Sequence, residues 1–260
     1  MKIVLLFLSI FISSSLVAQT SFTLYIAAKN GLTIRERPDI TSNTVDKIPY
    51  GEKVEISYDY NEVKEFVSEG LKGYWAKVTY NGKSGYIADN YLLPEAPPKD
   101  NVSNLKQYLA QISSPVSEPI EVKTKDETDK EYTFLKKQLY KNGGEYHESI
   151  SYTSTEIYFL PGFNIQKAFV LMRLLSEYKT AFNISDAFPA KNKTMKRGDI
   201  KVDTEVKKHQ YEDGSAEIEK LIIYSFNEKE FDGTETFQIF EMPGSIKGLS
   251  QVVIMIERGV

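Results

Sequence analysis

Few residue types in this chain could carry out bond-making chemistry, and their spacing narrows the choice further. Only two histidines occur, His147 and His209, far apart and each beside an expected hairpin turn. Zinc hydrolases of the cell wall need several His and acidic ligands at fixed spacing, such as two His one helical turn apart. A site joining His147, Glu148 and His209 would be incomplete even if the two hairpins paired, and two solvated surface histidines are the simpler reading. There is no Cys at all, which removes thiolate nucleophiles and disulfides together. No Gly-x-Ser-x-Gly occurs, and no Ser-x-x-Lys has a supporting Lys-Thr-Gly. Carboxylate pairs such as Glu217 and Glu219, or Glu228 and Glu230, lie two apart and so share one strand face, where solvation is the ordinary state. The glycines are turn formers, with no Gly-rich loop opening a helix to cradle phosphate. The expectation is therefore no catalytic residue, no metal site and no cofactor.

What the chain has in quantity is aromatic surface, with 17 Tyr and 14 Phe in 260 residues. Aromatic faces suit sugars and the flat backbones of short Gly- or Ala-rich peptides, and Tyr hydroxyls can bond their amides. A net charge of −4 gives no general attraction to nucleic acid. A Lys-rich stretch (Lys191, Lys193, Lys196, Arg197) reads as a solvated loop, since four charges bind an anionic surface only weakly.

The elements that must position these residues fall into four spans. Residues 1–19 read as a signal peptide: Lys2 gives a positive start, Ile3 to Ile12 an apolar run, and Ser13 to Gln19 a cleavage region. The run is short for a membrane span. The chain is therefore expected to be exported to the periplasm or cell exterior, with no transmembrane segment after cleavage. Residues 22–94 read as short strands. Phe22, Leu24 and Ile26 alternate; Leu32 to Arg35, Val45 to Ile48 and Val54 to Tyr58 follow; and the strand around Trp75 turns at Asn81-Gly82 into Gly85-Tyr86-Ile87. Residues 95–130 begin with Pro97-Pro98, place Val102, Leu105, Leu109 and Ile112 at near-helical spacing, and end in a polar tether from Ser113. Residues 131–260 mix strands with one helix after Asn164, whose apolar stripe is Ile165, Ala168, Phe169, Met172, Leu175 and Tyr178. Within this span a faint echo links Lys136-Lys137, Tyr140 and Gly143 to Lys207-Lys208, Tyr211 and Gly214, which two unrelated hairpins also explain.

The first of the strand-rich spans carries a resemblance. Asn-Gly-Leu-Thr-Ile-Arg-Glu-Arg-Pro (30–38), Gly51-Glu-Lys-Val-Glu-Ile, and Tyr74-Trp75-Ala-Lys-Val78 with Asn81-Gly82-Lys-Ser-Gly85-Tyr86-Ile87 and Tyr91-Leu92 stand in the order found in bacterial SH3 domains. The ordered set resembles that family over about residues 22–94, and no comparable resemblance is found for residues 131–260. The fold class expected is multidomain: a small all-β SH3-like barrel, then an α+β domain of antiparallel sheet with one main helix. The family resemblance implies recognition of cell-wall peptide or service as an interaction platform. One departure is a long acidic insertion, Asp59 to Lys72, which would overhang the loop side where the family's groove lies.

The candidate groove residues are Tyr58 and Tyr74, on the strands that this insertion joins. Arg35 is a candidate partner for a peptide carboxylate, with a salt bridge to the insertion as its plainer role. Trp75 and Tyr86 are expected in the barrel core. Three functions remain open: a non-enzymatic envelope protein that holds wall peptide, a secreted protein whose C-terminal domain binds another envelope protein, and a wall hydrolase using carboxylates. Export is directly testable. N-terminal sequencing of periplasmic or secreted material should find a start near Gln19 or Thr20, and an intact Met1 would contradict the signal peptide.

Overall fold

The computed structural model describes residues 21–59, 63–125, 128, 131–150, 153–212, 216–227, 234–243 and 250–259. The expected signal peptide lies outside these residues, as do Glu228, Glu230 and Gly214. Strand dominates: eight described strands form one sheet system and nine a second. The first comprises β1 (Ser21–Ile26), β2 (Leu32–Arg35), β3 (Thr44–Ile48), β4 (Lys53–Ser57), β5 (Glu65–Ser68), β6 (Leu71–Tyr80), β7 (Lys83–Ala88) and β8 (Leu92–Leu93). Its order is β3-β2-β7-β6-β4-β1-β8, with β5 paired to β6. Asn81 (φ 49) and Gly82 (φ 75) make the tight turn between β6 and β7 that their sequence demands.

Inside this barrel Ile26, Ile34, Ile48, Val54, Ile56, Ala76, Val78, Ile87 and Leu92 form one apolar cluster. Neither aromatic expected there belongs to it. Ala76 and Val78 point inward, so Trp75 points out. It is nevertheless only 8% exposed, because β5 folds over it and Phe66 meets it edge-on with ring centroids 5.2 Å apart. Tyr86 is half-buried, and its neighbour Ile87 fills the core position instead. Alternation separates the two faces of a strand, but a strand covered on both sides has two buried faces.

The second sheet contains β9 (Ile120–Lys125), β10 (Glu131–Leu139), β11 (Glu145–Ile150), β12 (Thr153–Pro161), β13 (Lys193–Arg197), β14 (Ile200–Gln210), β15 (Ala216–Asn227), β16 (Glu235–Pro243) and β17 (Ser250–Gly259). Its order is β13-β14-β15-β16-β17-β12-β11-β10-β9. Part of the expected tether is therefore an edge strand: Ile120, Val122 and Thr124 alternate with Glu121, Lys123 and Lys125, and β9 pairs with β10. The Lys-rich stretch is likewise the other edge strand, β13, paired to β14. His147 and His209 sit on β11 and β14, five strand spacings or about 24 Å apart, so the two hairpins do not bring them together.

Two helices lie against this sheet. Helix α1 (Leu105–Ile112) is capped by Asn104, whose side chain accepts from Gln107 N–H, and it buries Leu105, Tyr108 and Leu109. Helix α2 (Ile165–Leu174) is capped in the same way by Asn164, which accepts from Lys167 N–H. The expected stripe on α2 is buried, but so are Val170, Leu171 and Arg173 off that stripe. A helix apolar all round is one covered all round. Strands β15, β16 and β17 cover one side of α2, while β8 and the Asp89–Tyr91 turn of the first sheet cover the other.

One consequence is a core that ignores the domain division. Ala27, Leu71 and Leu93 of the first unit join Phe163, Phe169, Met172, Phe188 and Ile239 in a single cluster. The insertion makes the closest approach. Glu69 (φ 50) and Gly70 (φ 74) turn β5 into β6, and Glu69 C=O accepts from Phe188 N–H at 2.7 Å. A Cβ on Gly70 would lie 2.4 Å from the Phe188 carbonyl oxygen. The connecting segment is strapped down as well: Tyr50 hydroxyl donates to Pro98 C=O at 2.8 Å, and Gln111 amide donates to Pro97 C=O at 3.0 Å.

The two units should consequently unfold together. Thermal loss of Trp75 fluorescence and of far-UV circular dichroism should coincide. Gly70→Ala should lower both midpoints by a common shift worth on the order of 2–3 kcal/mol. Two well-separated transitions in the unaltered protein would contradict the shared core.

Candidate functional site

The barrel and the second unit do not close on each other completely. Between them lies an open cleft of about 700 Å³, walled on the barrel side by Phe22, Leu24, Tyr58 and Tyr74 and on the other by Asn164, Gln166 and Lys167. A second lobe of about 540 Å³ continues from it toward Phe188, Ala190, Lys208 and Ile218. Lys72, Asn164, Gln166 and Glu217 line both lobes, so the two form one groove with a waist. At the waist Lys72 N–H donates to Gln166 Oε1 at 2.7 Å, a direct bond from β6 to α2.

The barrel wall is built around one carboxylate. Tyr58, just beyond β4, donates its hydroxyl to Asp89 Oδ2, while Tyr74 N–H donates to Asp89 Oδ1 at 2.7 Å. Asp89 therefore ties the end of β4 to β6 and sets the spacing of the two tyrosines. It comes this close to the backbone because residue 73 is Gly: a Cβ there would lie 2.3 Å from Asp89 Oδ1 and 2.9 Å from Asn90 N. Phe22 leans on Tyr58, ring centroids 5.9 Å apart at 59°. Tyr74 is 45% exposed and Phe22 42%, so both offer apolar face to a guest.

The opposite wall is the first turn of α2. Glu241 accepts from Ile165 N–H at 3.2 Å and Asn164 from Lys167 N–H at 2.9 Å, so these amides are already bonded. The Lys167 side chain is half-buried in the cleft. Burial pushes its ammonium below the ordinary lysine range, and only the charge of Asp89 acts in the other direction. At the groove's outer rim Glu217 is exposed and accepts from Tyr211 hydroxyl at 2.9 Å.

Of the residues singled out from the sequence, Tyr58 and Tyr74 share this cleft and Arg35 does not. Arg35 stands on β2, opposite Tyr86 of β7. Its Nη1 donates to Ser42 C=O at 2.8 Å and Thr44 Oγ1 at 3.4 Å. Among the described residues of the insertion it has no salt-bridge partner, and Asp59 there meets Lys77 at 2.9 Å. A bulge in the pairing of β2 with β3 turns the Arg35 side chain into its own loop. The residues that sequence reasoning missed are Phe22, Asp89, Gln166 and Lys167. The Asn164 cap located the start of α2, but nothing local says that this start faces a barrel.

No three His, Cys, Asp or Glu side chains among the described residues are grouped as metal ligands would be. Among them, too, no helix is long and apolar enough to cross a membrane. Comparison with known families matches residues 30–92 to the bacterial SH3 domain. This segment is thus a bacterial SH3 domain, a class that generally binds peptides or cell-wall components. No curated protein and no solved structure gives a significant match to the chain.

The packing around Asp89 gives a direct test. Gly73→Ala should displace the carboxylate, break its bond with the Tyr58 hydroxyl and cost about 2–3 kcal/mol. Denaturant midpoints would read this, and a variant as stable as the unaltered chain would show that Asp89 does not organise the wall.

Proposed function

We propose that this protein is an exported, non-enzymatic envelope protein that holds a short cell-wall peptide in the cleft between its SH3 domain and helix α2. The observation carrying this reading is the open cleft itself, with Tyr58 and Tyr74 along one wall and polar side chains along the other. Its volume of about 700 Å³ suits a few residues of peptide, within the usual range of roughly 300–1,000 Å³ for ligand sites. The tyrosine rings offer apolar faces, and Asn164, Gln166 and Lys167 offer partners to a peptide backbone. A binding role also fits the state of Asp89, whose two oxygens each accept a hydrogen bond from the wall they organise. Affinity should be modest, with a dissociation constant of roughly 10⁻⁴ to 10⁻⁵ M, because an open groove buries only part of its guest.

A second reading is favoured by a different feature. Strand β9 is exposed along its length, and Ile120 and Val122 stand at a sheet edge with exposures of 52% and 47%. Such an edge can accept a strand from another envelope protein. The wall-hydrolase reading is the weakest of the three: of the carboxylates described in the groove, Asp89 and Glu241 already accept bonds from the walls, and Glu217 is an exposed rim group.

The test uses the mature chain and soluble muropeptides. Amide resonances of Tyr58, Tyr74 and Gln166 should shift at millimolar ligand, and Tyr58→Ala should abolish the shifts. If those resonances stay still while sacculi retain the protein through β9, the interaction-platform reading replaces this one.

A further inference from the structure

Among the described cations that line the groove, Lys167 is half-buried where Lys72 and Lys208 are exposed. Its Nζ has no hydrogen bond or ion pair among the described residues. The charge of Asp89 reaches Lys167 without an ion pair forming, and the Asp89 oxygens accept from the Tyr58 hydroxyl and the Tyr74 amide. Taking an ammonium partly out of water without a partner is costly, and burial accordingly pushes Lys167 toward its neutral form. Three of the arginines drawn out of water are each matched by an acid. Arg173 meets Glu69, Arg197 meets Asp186, and Arg258 meets Glu156 and Glu235. A lysine left unmatched beside two tyrosine walls has the form of a receptor for an anionic group on a guest.

Resting on the cleft reading above, we infer that Lys167 receives a carboxylate of the bound peptide, so the ligand class is a short peptide with a free carboxylate rather than a neutral chain. The carboxylate sits between Lys167 and the Tyr58–Tyr74 wall. The remainder of the peptide passes the Lys72–Gln166 waist toward the second lobe, since those residues line both. An arriving carboxylate restores the hydration that Lys167 lost, and the charge-assisted bond it forms is about twice as strong as a neutral one. Arg35, the cation suggested by sequence, is excluded from this part by its place on β2.

The shared chemistry has two sources in a peptide, the C-terminus or an acidic side chain, and three probes separate them. Tetra-alanine as free acid, tetra-alanine amide, and Ala-Ala-Glu-Ala amide are titrated into the mature chain, following the ¹³Cε resonance of Lys167 and the amides of Tyr58 and Tyr74. The free acid should bind about tenfold or more tightly than tetra-alanine amide, with a shift at Lys167, and Lys167→Met should erase that preference. If the Glu-bearing amide regains the lost affinity, the side chain is the source; if it binds like the plain amide, the terminus is. Equal binding of all three probes, unchanged in Lys167→Met, overturns the carboxylate assignment while leaving the cleft reading intact. No shift of Tyr58 or Tyr74 with any probe overturns both. Tyr58→Ala serves as the control that removes binding of every form, and the unchanged thermal midpoint of Lys167→Met shows that its effect is local.

Discussion

The structure depends on one guanidinium taken out of water. Arg173, at the end of α2, is only 6% exposed. Its Nη1 donates to Glu69 Oε2 at 2.9 Å and to the carbonyl of Asp186. The rings of Phe169 and Tyr91 lie 5.4 and 6.0 Å from its central carbon. Helix, SH3 domain, insertion turn and the loop before Phe188 thus meet on a single side chain. Burying such a charge costs several kcal/mol unless its geometry is nearly fully satisfied, and among the described residues Nε has no hydrogen-bond partner. A lysine could not imitate this arrangement, because it lacks both the fork and the flat face. At Glu69 burial favours the neutral acid, but the hydrogen bonds from Tyr91 and Arg173 outweigh it and hold the carboxyl below its usual range. The contact is therefore present above the ordinary glutamate range and is lost as pH falls through the lower value that Glu69 has when folded.

That clasp turns an inserted loop into a structural joint. An SH3 barrel without the insertion would expose Trp75, and it would have no turn to reach Phe188. With it, β5 covers the indole and Gly70 seats against the neighbouring backbone. The orientation this fixes is what brings β6 beside the first turn of α2. The groove is consequently a property of the joint rather than of either unit, and the residues of its two walls lie about ninety positions apart in the chain, as Lys72 and Gln166 do.

This explains which features could be read from sequence. The Asn81-Gly82 turn, the strands beside it and the capped starts of α1 and α2 are set by local chemistry, and they stand where the sequence places them. That Tyr58 and Tyr74 stand along one cleft was legible because the insertion joins their strands. Tyr86 was not, since its resemblance to a core aromatic says nothing about the crowding at Ile87. Arg35 failed for a related reason: a bulge, invisible in the pattern, redirects its side chain. Lys167 could not be found by any local rule. Its position in the first turn of α2 becomes informative only once both neighbours of the helix are known. The central pairing of β12 with β17, which joins Thr153 to Gly259 across a hundred residues, is equally beyond local reasoning.

A site shared between two docked units has a thermodynamic consequence that a groove on one barrel lacks. A guest touching both walls binds only the docked form, so it stabilises the joint by the free energy of its own binding. At a hundred times its dissociation constant that amounts to about 2.7 kcal/mol, comparable to the clasp contacts it would supplement. The coupling also runs in reverse: whatever loosens Arg173 or the Glu69 turn lowers apparent affinity, because the competent geometry is then only part of the population. For any weak ligand held by a few polar contacts, walls arranged in advance favour affinity, since folding has already met the ordering cost. The unmatched charge of Lys167 belongs to that arrangement. The shared core holds it in place, so its partial loss of water is set by folding itself.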